Sequence, residues 1–174
     1  MKKDLLIVDG YNMIGAWPEL VALKNKDKME DARDRLLHEL SDYSKYECIE
    51  VRVVFDAQFV PGIQKSYKKY HLDVIFTKEG ETADSYIERV VGEENFLITQ
   101  VTVATSDLAE QWMVFQKGAL RKSANELFKD VQRSKKKIAA EARTLHSKDY
   151  RRNSPWTHLQ IEELEKLRER LSDN

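Results

Sequence analysis

The chain has 174 residues, 41% of them hydrophobic and 34% charged, with a net charge of −1. That is enough for one domain with a buried core beneath a heavily charged surface. No apolar run approaches the roughly 18 to 20 residues of a membrane span. One cysteine, Cys48, with four scattered histidines, excludes both a disulfide framework and a Cys/His zinc site.

The opening MKKDLLIVDG holds an apolar run of only four residues before Asp9, too short for the core of a secretory signal. It reads as a first strand, Leu5–Val8, and everything fits a cytoplasmic protein with no membrane partner. Three further β-branched runs follow, at Val51–Phe55, Val74–Thr77 and Val101–Thr105. All four are nearly continuous in apolar character, the pattern of strands covered on both faces of a parallel sheet. Cys48, in a strand-like neighbourhood, reads as a small buried hydrophobe.

Between the strands lie helical spacings. Met29, Ala32, Leu36, Leu37, Leu40 and Tyr43 mark one apolar face, Ala83, Ile87, Val90 and Val91 a second, and Leu108, Trp112 and Phe115 a third. Ser123 and Glu126 form a capping box for a long helix burying Ala124, Leu127, Phe128, Val131, Ile138 and Leu145. Lys135–Lys137 fall mostly on its exposed side. Pro155 punctuates the chain near 150, and Ile161, Leu164, Leu167 and Leu171 stripe a last helix. The expectation is an α/β fold with a mostly parallel sheet over residues 1–149, plus a C-terminal helical appendage at 150–174 packed on the same domain.

The acids fall at telling positions. Asp9 ends the first strand, Asp56 the second, and Asp107 follows the fourth, while Asp84 opens the helix after the third. Carboxyl ends of parallel strands form the ligand crevice of an open sheet, so the four carboxylates should converge. Gathered acids repel one another, and a hard cation, Mg²⁺ or Mn²⁺, compensates them through oxygen ligands, chiefly Asp9, Asp84 and Asp107. Such a site supports phosphodiester hydrolysis. Taken singly, each aspartate reads more readily as a turn or helix-cap residue than as a ligand, and Asp107 or Ser106 caps the helix that follows; four at successive strand ends favour the site. Gly10 lets the backbone turn away from the strand without a Cβ clash.

IVDGYNMIGAW, FDA, ETAD and ATSD, in that order, resemble the motifs of NYN-domain proteins, a branch of the PIN-like nuclease superfamily. GALRKSANEL and the basic helix after it are similar to the YacP-type subgroup of ribosome-associated endoribonucleases of Gram-positive bacteria. The resemblance covers about residues 4 to 147. It implies a PIN-like three-layer fold, a divalent metal and mRNA cleavage in the ribosomal A site, with Asp9, Asp56, Asp84 and Asp107 at the acidic positions. Asn12 matches the Asn of the DGYN signature, where its amide bonds an acid or a substrate phosphate or simply holds a turn. Ser106 orients a water or caps the helix.

Positive charge should track a single-stranded substrate. Candidates are Lys65, Lys68, Lys69 and Lys78, with Tyr67, Tyr70 and His71 interleaved for stacking, and Arg121 and Lys122 before the long helix. Between Arg121 and Arg152 eleven Lys/Arg face four Asp/Glu. If the ribosome is the partner, Lys135, Lys136 and Lys137 dock on its RNA. The plainer reading of each lysine is a solvated charge, and of Tyr67, Tyr70, Trp17 and Trp156 packing.

Three other enzymes or binding folds fit less well. A haloacid-dehalogenase-type phosphatase wants an Asp where Tyr11 stands, and a phosphoryl-receiver domain does not expect Asp84. DGYNMIG is neither GxGxxG nor GxxxxGK, so no nucleotide cofactor is expected. The alternative from another class is a non-catalytic RNA- or ribosome-binding module.

Overall fold

The computed structural model describes residues 2–57, 70–153, 160, 162–166 and 168, with backbone alone at 146–153. Two compact units divide the chain, Met1–Lys135 and Lys136–Asn174. The first holds a five-stranded sheet of β1 (Lys3–Asp9), β2 (Glu50–Phe55), β3 (Asp73–Phe76), β4 (Thr99–Ala104) and β5 (Leu120–Lys122). All four strand pairings are parallel, and the order is β3-β2-β1-β4-β5. The α/β expectation holds. The unexpected strand is β5, whose three residues, LRK, carry no periodic signal.

Six helices connect the strands: α1 (Gly10–Ala16), α2 (Pro18–Lys24), α3 (Met29–Glu47), α4 (Ala83–Glu93), α5 (Leu108–Gln116) and α6 (Ala124–Asn153). They form two cores because strand side chains alternate. Leu6 and Val8 of β1 join α1, α2, α3 and the start of α6 in one, while Leu5 and Ile7 join α4 and α5 in the other. Both faces of the sheet are thus covered, which is why its strands read as unbroken apolar runs. Trp17 is packing, as its plainer reading had it: it is buried, and its Nε1 donates to the Ala124 carbonyl at 3.0 Å.

Ser123 and Glu126 form the expected capping box, each accepting from the other's backbone N–H at 3.2 and 2.7 Å. Three packing expectations are overturned. Cys48 is exposed, because it is the left-handed C-cap of α3 (φ 56°) rather than a strand residue. Leu145 is exposed on the part of α6 beyond the first unit. In α5 the apolar stripe points outward: Leu108, Trp112 and Phe115 are 69%, 66% and 55% exposed, while Glu110, Gln111 and Val114 face inward. Of the last expected stripe only Leu164 lies among the described residues, and it is exposed; Pro155, Trp156, Ile161, Leu167 and Leu171 lie outside them. No helix among the described residues is long and apolar enough to cross a membrane.

Gly10 opens α1 against the Phe55 ring, and a Cβ built there would stand 2.2 Å from Phe55 Cε1. The ring has little room to yield, with Tyr11 edge-on at 5.2 Å and Phe76 stacked at 5.5 Å. Glycine is therefore required by this close approach, beyond any freedom to turn. Gly10→Ala is expected to lower stability by about 1–3 kcal/mol, the usual cost of overpacking, read from urea unfolding midpoints. An unchanged midpoint would show that Phe55 is free to move.

Candidate active site

The sheet order reverses beside β1, with β2 on one flank and β4 on the other. A crevice opens at such a switch point, outside the carboxyl ends of the strands. The backbone ties this edge together. Asn12 Oδ1, in the first turn of α1, accepts the Ser106 N–H of the segment after β4 at 2.8 Å. Its amide oxygen is therefore engaged with the protein backbone. Ser106 does not cap α5. The cap is Asp107, whose Oδ1 accepts from Ala109 at 2.8 Å and more weakly from Glu110 at 3.4 Å.

Three carboxylates meet in the crevice. Asp9 ends β1 and caps α1, accepting the Asn12 N–H at 3.1 Å. Asp84 stands in the first turn of α4, whose cap is Thr82. Glu110 stands in the first turn of α5. One oxygen from each lies within 4.8 Å of the others. Asp56 and Asp107 are outside this trio, yet their charges act on it: Asp56 raises both Asp9 and Asp84, and Asp107 raises Asp84 and Glu110.

The electrostatics are those of an uncompensated anion site. Burial, then the Asp84 and Asp56 charges, push Asp9 up to about 6, although the Asn12 and Tyr11 backbone bonds pull the other way. Burial, then Asp107 and Asp56, raise Asp84 as well. Glu110 is the extreme case. It is 2% exposed, neither carboxylate oxygen has a well-formed hydrogen bond among the described residues, and burial with the charges of Asp9, Asp84 and Asp107 pushes it up to about 8 against the easing effect of the neighbouring Thr105 hydroxyl. A buried carboxylate so short of donors is costly, and here it lies beside two more acids. An all-oxygen donor set of this kind fits a hard divalent cation such as Mg²⁺ or Mn²⁺.

Glu110 was not among the residues expected from sequence. Its signal was available, since it lies three positions after Asp107 and so shares that residue's helix face. It was hidden because LAEQW reads as an amphipathic helix with its acid in solvent.

The basic candidates disperse. Lys78 is exposed near the start of α4, and His71 is exposed with its backbone N–H on Ser41 Oγ at 2.9 Å. Arg121 Nη1 donates to Gln111 Oε1 at 2.7 Å, and Lys122 Nζ pairs with Asp130 at 2.8 Å. Lys135 bonds the buried Glu39 at 3.1 Å, whereas Lys136 and Lys137 are exposed. Lys65, Lys68, Lys69 and Tyr67 lie outside the described residues. Tyr70 is half-buried against the α1–α3 core, as its packing reading had it.

Residues 6–169 match the family described as YacP-like NYN domain. The chain is 48% identical over 144 residues to the uncharacterized protein YacP of Bacillus subtilis (strain 168), covering 83% of this chain and 84% of that one. It is similar to two crystal structures of Rae1 (YacP) from Bacillus subtilis. One superposes with a TM-score of 0.76 at 43% identity, covering 98% of this chain and 95% of that one. The other, a W164L mutant, gives 0.73 at 46% identity, covering 83% and 84%.

Proposed function

Since the chain belongs to the YacP-like NYN domain family, a family of nuclease type, we propose that it is a metal-dependent endoribonuclease. Its substrate is single-stranded RNA, and specifically mRNA engaged by the ribosome in the cytoplasm, cut in the A site. The observation that carries the metal reading is Glu110, buried, without a well-formed hydrogen bond among the described residues, and gathered with Asp9 and Asp84.

Asp9, Asp84 and Glu110 would hold Mg²⁺ or Mn²⁺, with Asp107 and Asp56 adding negative charge around it. A divalent ion bound there acidifies and orients a water for attack on the phosphodiester and neutralises charge on the scissile phosphate. The chain's own contribution is positional. Asp9 is fixed by the Asn12 N–H, and Asn12 in turn fixes the Ser106 turn, so the acids arrive on rigid backbone. Burial and the neighbouring acids favour the proton on Glu110, so holding a cation there would require Glu110 to release it.

The test is cleavage of a single-stranded RNA with Mg²⁺ or Mn²⁺ and its loss in EDTA. Mapping 5′ ends of cellular RNAs with the active and the Asp84→Asn proteins locates the cuts relative to ribosomal A sites. Binding without cutting under every metal condition would leave only an RNA-binding module.

Ribosome association in this reading rests on the family and on the basic stretch of α6. Lys135 is committed to Glu39, so reversing it would set two acids together in a buried place. Lys136 and Lys137 are free of that constraint. Their joint reversal to Glu is expected to weaken ribosome binding about tenfold or more at moderate salt, without loss of fold. Unchanged co-sedimentation would exclude this helix as the docking element.

A further inference from the structure

The outward stripe of α5 calls for an occupant. Leu108, Gln111, Trp112, Phe115 and Arg121 line an open cleft of about 430 Å³, at the smaller end of the roughly 300–1,000 Å³ typical of ligand sites. We propose that this cleft is a nucleobase-stacking subsite, where a base of the RNA strand leaving the acidic crevice lies on Trp112 and its phosphate meets Arg121.

Three observations favour a nucleotide. First, the lining is built. Gln111 is buried, with Nε2 donating to the Thr105 carbonyl at 2.7 Å and Oε1 accepting from Arg121 Nη1 at 2.7 Å. The guanidinium is thus held at the end of an apolar wall instead of drifting in solvent. Second, the chemistry matches. Trp112 and Phe115 stand edge to face at 6.5 Å, giving an aromatic surface, and among the described residues the lining carries one cation and no acid. A base offers a flat apolar face and its phosphate one negative charge. Third, the cleft and the crevice are built on the same short helix. Leu108 follows Asp107, and Glu110 of the acid trio lies on the same helix, on the face turned away from Trp112. Exposing three large apolar side chains at helical spacing has a hydrophobic cost that folding alone leaves unexplained.

The inference deepens the nuclease reading, because it takes the acid trio as the point of cutting. Binding of a fluorescein-labelled single-stranded oligouridylate to the full chain in Mg²⁺, measured in an Asp84→Asn background, separates the two. Trp112→Ala is expected to weaken binding about tenfold, within the range for loss of one stacked base, and Trp112→Phe to keep most of the affinity. Arg121→Gln should lower the slope of log affinity against log salt by about one. With Asp84 intact, Trp112→Ala should raise KM for cleavage by a similar factor with kcat held. Saturating RNA should also quench tryptophan emission, and this quenching should vanish in Trp112→Phe. Should Asp84→Asn still cut, the nuclease assignment of the trio falls while the binding series still decides the stacking site. Equal affinity of Trp112→Ala and its parent, or quenching that survives in Trp112→Phe, overturns the proposal. So does light scattering in which Trp112→Glu converts a dimer to a monomer, since a second copy would then be the occupant.

Discussion

Asp84→Asn is expected to reduce Mg²⁺-dependent RNA cleavage at least about a hundredfold while leaving the fold intact. The position separates chemistry from stability. Asp84 is exposed on its outer side and is not the cap of α4, a role held by Thr82. Its amide loses only a favourable helix-dipole contact, worth about 0.3–1 kcal/mol, and that loss is offset by relief of repulsion from Asp107 and Asp56. Asp9→Asn should inactivate equally, since asparagine keeps an oxygen to cap α1 but surrenders the charge. Circular dichroism and thermal melts check the fold, and cleavage of a labelled single-stranded RNA checks the activity. Full activity in both variants, with folding preserved, would remove these acids from the chemistry.

Glu110→Gln is expected to do two opposite things: stabilise the metal-free protein at alkaline pH and abolish its stabilisation by Mg²⁺. Asp9 is raised from 3.8 to about 6 and Glu110 from 4.5 to about 8. Between its unfolded and folded values each group holds a proton in the native state that the unfolded chain has released. Stability therefore falls as pH rises through that window. The metal-free protein should melt higher at about pH 5 than at about pH 8.5. Glu110→Gln removes its share of the loss, on the order of 4–5 kcal/mol at about pH 8.5 and close to nothing at about pH 4. A cation binds the ionised acids, so Mg²⁺ should raise the melting temperature more at high pH in the parent and much less in the variant. A pH-independent difference between the two proteins would show that Glu110 is not the buried acid described.

Much of this was readable from residue order. Unbroken apolar runs announced a parallel sheet because both faces are covered, and the four aspartates at strand ends and at the start of α4 drew attention to the edge where Asp9 and Asp84 meet Glu110. What was not readable has physical causes. Glu110 resembles any surface acid in a helix until the helix is seen to face its polar side inward, towards Asp9 and Asp84. The same inversion sent Trp112 and Phe115 into solvent, which helical spacing by itself does not reveal. β5 is three residues of LRK, placed by pairing with β4 and not by local preference. Asp107, expected among the ligands, has one oxygen engaged in starting α5, and a cap and a metal ligand have the same sequence signature.

The bond from Asn12 to Ser106 joins residues 94 apart in sequence. An emerging polypeptide can complete β1, α1 and α3 early, but the crevice has no second wall until β4 has been made and docked beside β1. Such long-range closure comes late in folding. A copy whose synthesis stops before α5 would therefore carry Asp9 without Glu110 and leave the acid trio incomplete. On the nuclease reading proposed above, the chemistry waits until β4 and α5 have been made and have docked.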